Sequence, residues 1–179
     1  MKKLTLHWFV FFCSLFLLNS CNISTTPKEY FDIAVLNTNL IANFGGTGFS
    51  RELQSPSVKL SENGDDTTPM KRSEVIESKN AITEENYKKV KSLKVTDETK
   101  DMLEASINLY EYVIPVYKNE YSELAGLYDN NAPQEKIESL TLEIFDKYYK
   151  GFTDRYSKVI STGKVYAEKN SLKVNWGDR

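Results

Sequence analysis

The sequence predicts an all-α protein: an antiparallel bundle of about four helices with one long flexible loop. Three observations carry this. Apolar residues recur at helical spacing in four separate stretches. Thr, Pro and Gly stand where such helices should begin and end. Alternation of apolar and polar residues, the mark of a half-buried strand, is confined to a weak example at Leu172–Trp176.

The 179-residue chain opens with Lys2-Lys3 and a mostly apolar run from Leu4 to Leu18, the form of a secretory signal, which is set aside before fold reasoning. The run falls short of the roughly 20 apolar residues that a membrane-spanning helix needs. It ends in Leu18-Asn19-Ser20-Cys21. This stretch resembles the lipobox of bacterial lipoproteins, with a branched aliphatic residue three before the cysteine and a small residue one before it. Asn19 departs from the usual middle residue. The resemblance, to small helical envelope lipoproteins, implies cleavage before Cys21, diacylglycerol on its sulfur and acylation of its new amine. Several acyl chains on one residue give stable anchoring, since each buried CH₂ contributes about 0.8 kcal/mol. Asn22, in place of the Asp that retains enteric lipoproteins at the inner membrane, implies the outer membrane, in either leaflet. The expected organisation is a signal peptide over 1–20, a tether over 21–26 and a helical bundle domain over 27–179, with 45–69 as the flexible loop.

Thr26-Pro27-Lys28-Glu29 reads as a helix start, with Thr26 as N-cap, Pro27 in the first turn and Glu29 closing a capping box. Apolar residues from Tyr30 to Phe44 cover nearly the whole circumference, which predicts a deeply buried helix ended by Gly45-Gly46. Residues 45–69 are rich in Gly, Ser, Thr, Asn, Asp and Pro, a length of connection that is generally either functional or disordered. Gly45-Gly46-Thr47-Gly48 lacks the Gly-Lys-Ser/Thr ending of a phosphate cradle and reads as a helix end. Asp66-Thr67-Thr68 resembles a bacterial O-glycosylation motif.

A thinner stripe, Val75, Ile76, Ile82, Val90 and Leu93, predicts a second helix from about Met70, with an interruption at Asn80 to Thr83. Lys88, Lys89, Lys91 and Lys94 lie among Glu84, Glu85, Asp97 and Glu98 and read as a solvated face. Thr96 caps a third helix running to about Leu127, which Pro115 should kink or split. Asp129 to Pro133 is a turn. A fourth helix follows, with Ile137, Leu140, Ile144, Tyr148, Phe152, Tyr156, Val159 and Val165 as its buried stripe, and Gly163 as an early end.

Cleavage after Ser20 leaves 159 residues with 21 basic and 25 acidic side chains, a net charge near −4 that argues against a nucleic-acid partner. Cys13 and His7, the sole histidine, leave with the signal, and Cys21 is consumed by lipid. No disulfide, no Cys–His or Ser–His pair and no His or Cys metal ligand is then expected; no catalytic residue, metal or cofactor is assigned. All eleven tyrosines lie beyond the signal. Most follow the core spacing of their helices, whereas Tyr112 and Tyr149 leave the main stripes and are the better contact candidates. Glu104, Glu111, Glu120, Glu123, Glu135, Glu138, Glu143 and Asp146 fit ordinary exposed faces. The leading expectation is a lipid-anchored envelope protein, joined to the membrane at Cys21, that binds or scaffolds an envelope protein or glycan without catalysis. The alternatives are a carboxylate-only glycan hydrolase, or a carrier of a small apolar ligand if Pro115 opens a cavity.

Overall fold

A computed structural model describes residues 25–55, 57–61 and 63–176. The signal peptide, Cys21 and most of the tether lie outside the described residues. The described chain folds as an all-α bundle with one small hairpin. Helix α1 spans Pro27–Ala34, and a 3₁₀ segment spans Leu36–Ile41; α2 spans Thr47–Gln54. Strands β1 (Val58–Leu60) and β2 (Thr67–Pro69) follow, then α3 (Arg72–Ser92), α4 (Lys100–Val116), a π-helical turn (Tyr117–Tyr121), α5 (Ser122–Asp129) and α6 (Gln134–Lys169). The frame is α3, the α4–α5 rod and α6, each antiparallel to the next, with α1 laid against α3, α4 and α6.

Thr26 caps α1 as expected. Its hydroxyl accepts the Glu29 amide at 3.2 Å, and the Glu29 carboxylate accepts the Thr26 amide at 2.6 Å. The α-helix does not continue to Phe44. The buried Thr38 hydroxyl competes with the helical ladder by donating to the Val35 carbonyl at 2.6 Å, Asn37 donates across to the Asn86 side-chain oxygen at 3.2 Å, Asn39 accepts the Tyr156 hydroxyl at 2.8 Å, and the backbone tightens to 3₁₀. Tightening changes which residues point inward. Phe31, Ala34, Val35, Ile41 and Phe44 are buried, but Leu36 and Leu40 remain 40% and 56% exposed. The expectation of an apolar helix buried all round is thus corrected.

Gly45 ends this segment with φ of 69°, the left-handed conformation expected there. Residues 45–69, read as one long flexible loop, instead hold α2 and an antiparallel hairpin. The physical reason for α2 is the Phe49–Leu53 pair, four residues apart on one face and both buried. Phe49 meets the Tyr121 ring edge-on at 4.5 Å, and Lys79 pairs with Glu52 at 3.0 Å on the helix flank. The hairpin is exposed along both strands.

α3 runs unbroken through Asn80–Thr83. Thr83 is buried and returns its hydroxyl to the Lys79 carbonyl at 2.6 Å rather than recapping a new helix. Its own N-terminus is capped from afar: the Asp129 carboxylate, at the end of α5, accepts the Arg72 amide at 2.7 Å and the Ser73 amide at 3.0 Å. Before α4, Thr96 and Thr99 cap each other reciprocally, amide to hydroxyl, at 2.9 and 3.2 Å. Pro115 is exposed and removes one ladder bond. The backbone widens into a π turn directly after it, where the Ser122 hydroxyl donates to the Tyr117 carbonyl at 2.9 Å.

α6 passes through both Gly151 and Gly163 without ending. These glycines mark close approach rather than weakness. A Cβ on Gly163 would lie 2.8 Å from a Val35 methyl, and one on Gly151 would overlap the Tyr112 hydroxyl. The buried stripe keeps its expected course to Val159 and then passes through Gly163, Tyr166 and Ala167, while Val165 is 66% exposed. Leu172–Trp176 pairs with no strand; it is an ordered tail whose Trp176 ring meets Phe31 edge-on at 5.6 Å.

Candidate contact surface

The tyrosines divide into interior and surface sets. Tyr110, Tyr117 and Tyr121 are buried, and burial pushes all three phenols well above their ordinary range. Tyr117 and Tyr121 surround Phe44, with ring centres at 5.4 and 5.6 Å, and Phe152 closes the group at 5.2 Å. The Gly45 amide donates to the Tyr121 hydroxyl at 3.0 Å. This cluster fixes the 36–46 segment against α4 and α6. The volume beside the π turn is therefore occupied by side chains: Pro115 faces outward, while Val113, Val116 and Tyr117 fill the interior.

The two tyrosines singled out by their spacing have different fates. Tyr112 is half-buried, donates to the Tyr148 carbonyl at 3.2 Å and carries the Arg155 guanidinium 4.1 Å above its ring. It joins α4 to α6. Tyr149 is 39% exposed and stacks on Phe145, with ring centres 4.8 Å apart and an interplanar angle of 17°. Leu142 is 62% exposed one turn earlier, and Phe145 is 36% exposed. The three form an apolar ledge along α6. Gly45 and Gly46 support it from below, because a Cβ on Gly46 would stand 3.2 Å from the Tyr149 ring. Leu142 and Phe145 were missed in the sequence, although their spacing with Tyr149, three and then four residues, is itself a helical stripe. They alternate with Glu143, Asp146 and Lys147, so the stripe resembles a solvated face.

The helical carboxylates are held by neighbouring side chains or stand in solvent. Glu111 accepts the Tyr87 hydroxyl at 2.7 Å, and Glu138 accepts the Gln134 amide at 2.9 Å. Glu120 accepts the Tyr148 hydroxyl and, at 3.2 Å, the Lys147 ammonium. Partial burial pushes its carboxyl up, but hydrogen bonds from Tyr148, its own backbone amide and Lys147 together outweigh it, and its pKa lies below the usual value. Among the described residues, each carboxyl whose pKa is displaced is displaced downward: Glu29, Glu74, Glu84, Glu85, Glu120 and Asp129. Glu104 lines a shallow groove between α4 and α6 with Asp154, Arg155 and Lys158, a mixed-charge surface. Glu123, Glu135, Glu143 and Asp146 are exposed. Among the described residues, no group of three or more His, Cys, Asp or Glu side chains is placed to hold a metal ion.

Two further grooves flank the bundle. One, of about 630 Å³ between α3 and α4, has Tyr87 and Ile114 as its floor and Lys88, Lys91 and Lys118 at its rim. Lys118 is paired there with Glu84 at 2.5 Å. The other, of about 400 Å³, lies between Leu36, Ile160, Lys164 and Trp176. Among the described residues, no helix is long and apolar enough to cross a membrane. No known protein family, curated protein or solved structure matches the chain.

Proposed function

We propose that this chain is a lipid-anchored bacterial envelope protein, held to the outer membrane through Cys21, whose helical domain binds a partner by contact rather than catalysis. The observation that carries the contact reading is the ledge of Leu142, Phe145 and Tyr149. Stacked, partly exposed aromatic rings offer large contact area at low entropic cost, and apolar patches of this kind mark interaction sites more often than isolated exposed leucines do. The anchor reading rests on the lipobox-like Leu18-Asn19-Ser20-Cys21.

Two arms test the proposal separately. Cells fed a labelled fatty acid should label the wild type and not Cys21→Ser, and fractionation should move the variant out of the membrane. Detergent-solubilised envelopes should yield one reproducible partner, protein or glycan, with the wild type and none with Phe145→Asp/Tyr149→Asp. Equal capture by both forms would remove the ledge from the function. Unlabelled wild type would remove the anchor.

A further inference from the structure

We propose that the face around Leu36 and Trp176 is a membrane-docking surface that rests in the headgroup layer of the bilayer carrying the anchor. The inference rests on the proposed lipidation of Cys21. Only residues 22–24 separate Cys21 from Thr25, so the two Cα atoms can stand at most about 14 Å apart. Each headgroup layer is itself about 5–8 Å deep, so the end of the domain that begins with α1 is held at the interface. Lys28, three residues after Thr25, lines a groove that reaches Leu36, where the 3₁₀ segment leaves an apolar side chain outside. Leu36 is 40% exposed and lines both the 400 Å³ groove with Trp176 and an adjoining 240 Å³ groove formed by Lys28, Phe31 and Lys173.

The chemistry of the rim fits the same occupant. Lys164 lies 5.4 Å from the Trp176 ring centre, and Lys28 and Lys173 are exposed beside it. Asp32 is the acidic residue lining this pair of grooves, and Lys28 pairs with it. A local excess of cations thus sits on a chain whose mature form is net negative, around an amphipathic indole and an exposed leucine. Tryptophan prefers the depth at which acyl chains meet headgroups, and lysines above it meet anionic lipid. The occupant is a lipid surface, not a soluble peptide.

Trp176 also supplies the probe. Trp8 is removed with the signal, leaving Trp176 as the single tryptophan of the mature chain. Lipidated protein is reconstituted into phosphatidylethanolamine vesicles containing phosphatidylglycerol, and flotation is measured alongside Trp176 fluorescence. The expected result is co-flotation, blue-shifted emission and quenching by phospholipids brominated on their acyl chains. Leu36→Asp should float equally and lose the shift and the quenching. Lys28→Glu/Lys173→Glu, which leaves the apolar residues in place, should lose part of the quenching, with circular dichroism reporting that both variants fold. Flotation without quenching in the wild type would overturn the docking surface while leaving the anchor intact. Absence of flotation would overturn the anchor and the docking surface with it. A blue shift that appears only as protein density rises, without quenching, would assign the face to a second copy and reject the lipid surface.

Discussion

Two aromatic groups of similar composition lie on either side of the 36–46 segment and have opposite relations to water. Inside, Phe44 is surrounded by Tyr117, Tyr121 and Phe152, and Phe49 packs on the same tyrosines. Outside, Phe145 stacks on Tyr149, which rests on Gly45 and Gly46. The same turn thus supplies Phe44 to the interior and a glycine floor to the ledge. The inner group is closed on all sides and should set stability. The outer pair has one open face and should contribute little to folding. Composition alone does not distinguish the two; the side of the segment on which each ring falls does.

The largest expected contrast is between Phe44→Ala and Phe145→Ala. The first removes a ring that is 1% exposed and should cost about 3–5 kcal/mol. The second should cost about 1 kcal/mol or less, mainly lost stacking. Urea unfolding monitored by circular dichroism measures both, and comparable losses would dissolve the distinction. Glycines sharpen it next. Gly163→Ala places a Cβ 2.8 Å from a Val35 methyl, and overpacking of about 1–3 kcal/mol should exceed the helix-propensity gain of about 1 kcal/mol. Gly126, in α5, has nothing within 4 Å of the same added atom, so Gly126→Ala should stabilise by up to about 1 kcal/mol.

These glycines also mark how far the sequence could be read. Helix starts at Thr26 and Pro133 and the left-handed turn at Gly45 were legible, because caps and turns depend on a few neighbouring residues. Gly163 was misread as a terminator because nothing local reveals Val35 pressed against it. The Phe49–Leu53 pair is too short a signal to stand out from Gly- and Ser-rich flanks, and it is the tertiary cradle of Tyr117 and Tyr121 that holds it as a helix. The 3₁₀ turn hung on the Thr38 hydroxyl and on the distant partners of its two asparagine neighbours, Asn86 and Tyr156. Of the ledge, Tyr149 was visible as a residue off its stripe, whereas Phe145 and Leu142 were hidden among charges.

A smaller effect concerns the long-range cap. Asp129→Ala leaves the Arg72 and Ser73 amides without their acceptor and should cost about 1 kcal/mol. Partial burial pushes the Asp129 carboxyl up, but hydrogen bonds from Ser73 and Arg72 outweigh it and hold its pKa below the ordinary aspartate value. The folded pKa is thus the lower one. Its contribution is fully present above the unfolded value of about 3.9 and is lost as pH falls through the folded value. Unfolding midpoints of wild type and Asp129→Ala should therefore converge in that acid window. At the other extreme of pH, the phenols of Tyr110, Tyr117 and Tyr121 are raised by burial. Their contribution is present below about pH 10 and is lost as pH rises beyond it. Absorbance at 295 nm should show their ionisation arriving together with unfolding. The smallest effect is Tyr110→Phe, which removes a buried hydroxyl with no hydrogen-bond partner among the described residues and should leave stability unchanged or slightly higher.

The contact role of the ledge is tested most directly by photo-crosslinking in producing cells. Benzoylphenylalanine replaces Phe145 in one strain and Lys136, an exposed residue near the start of the same helix, in another. Position 145 should give one discrete adduct that competes away when unmodified protein is co-expressed, and position 136 should give none, with both proteins unfolding at the wild-type midpoint. The same adducts at both positions, or no adduct at 145, would contradict the ledge as a contact surface.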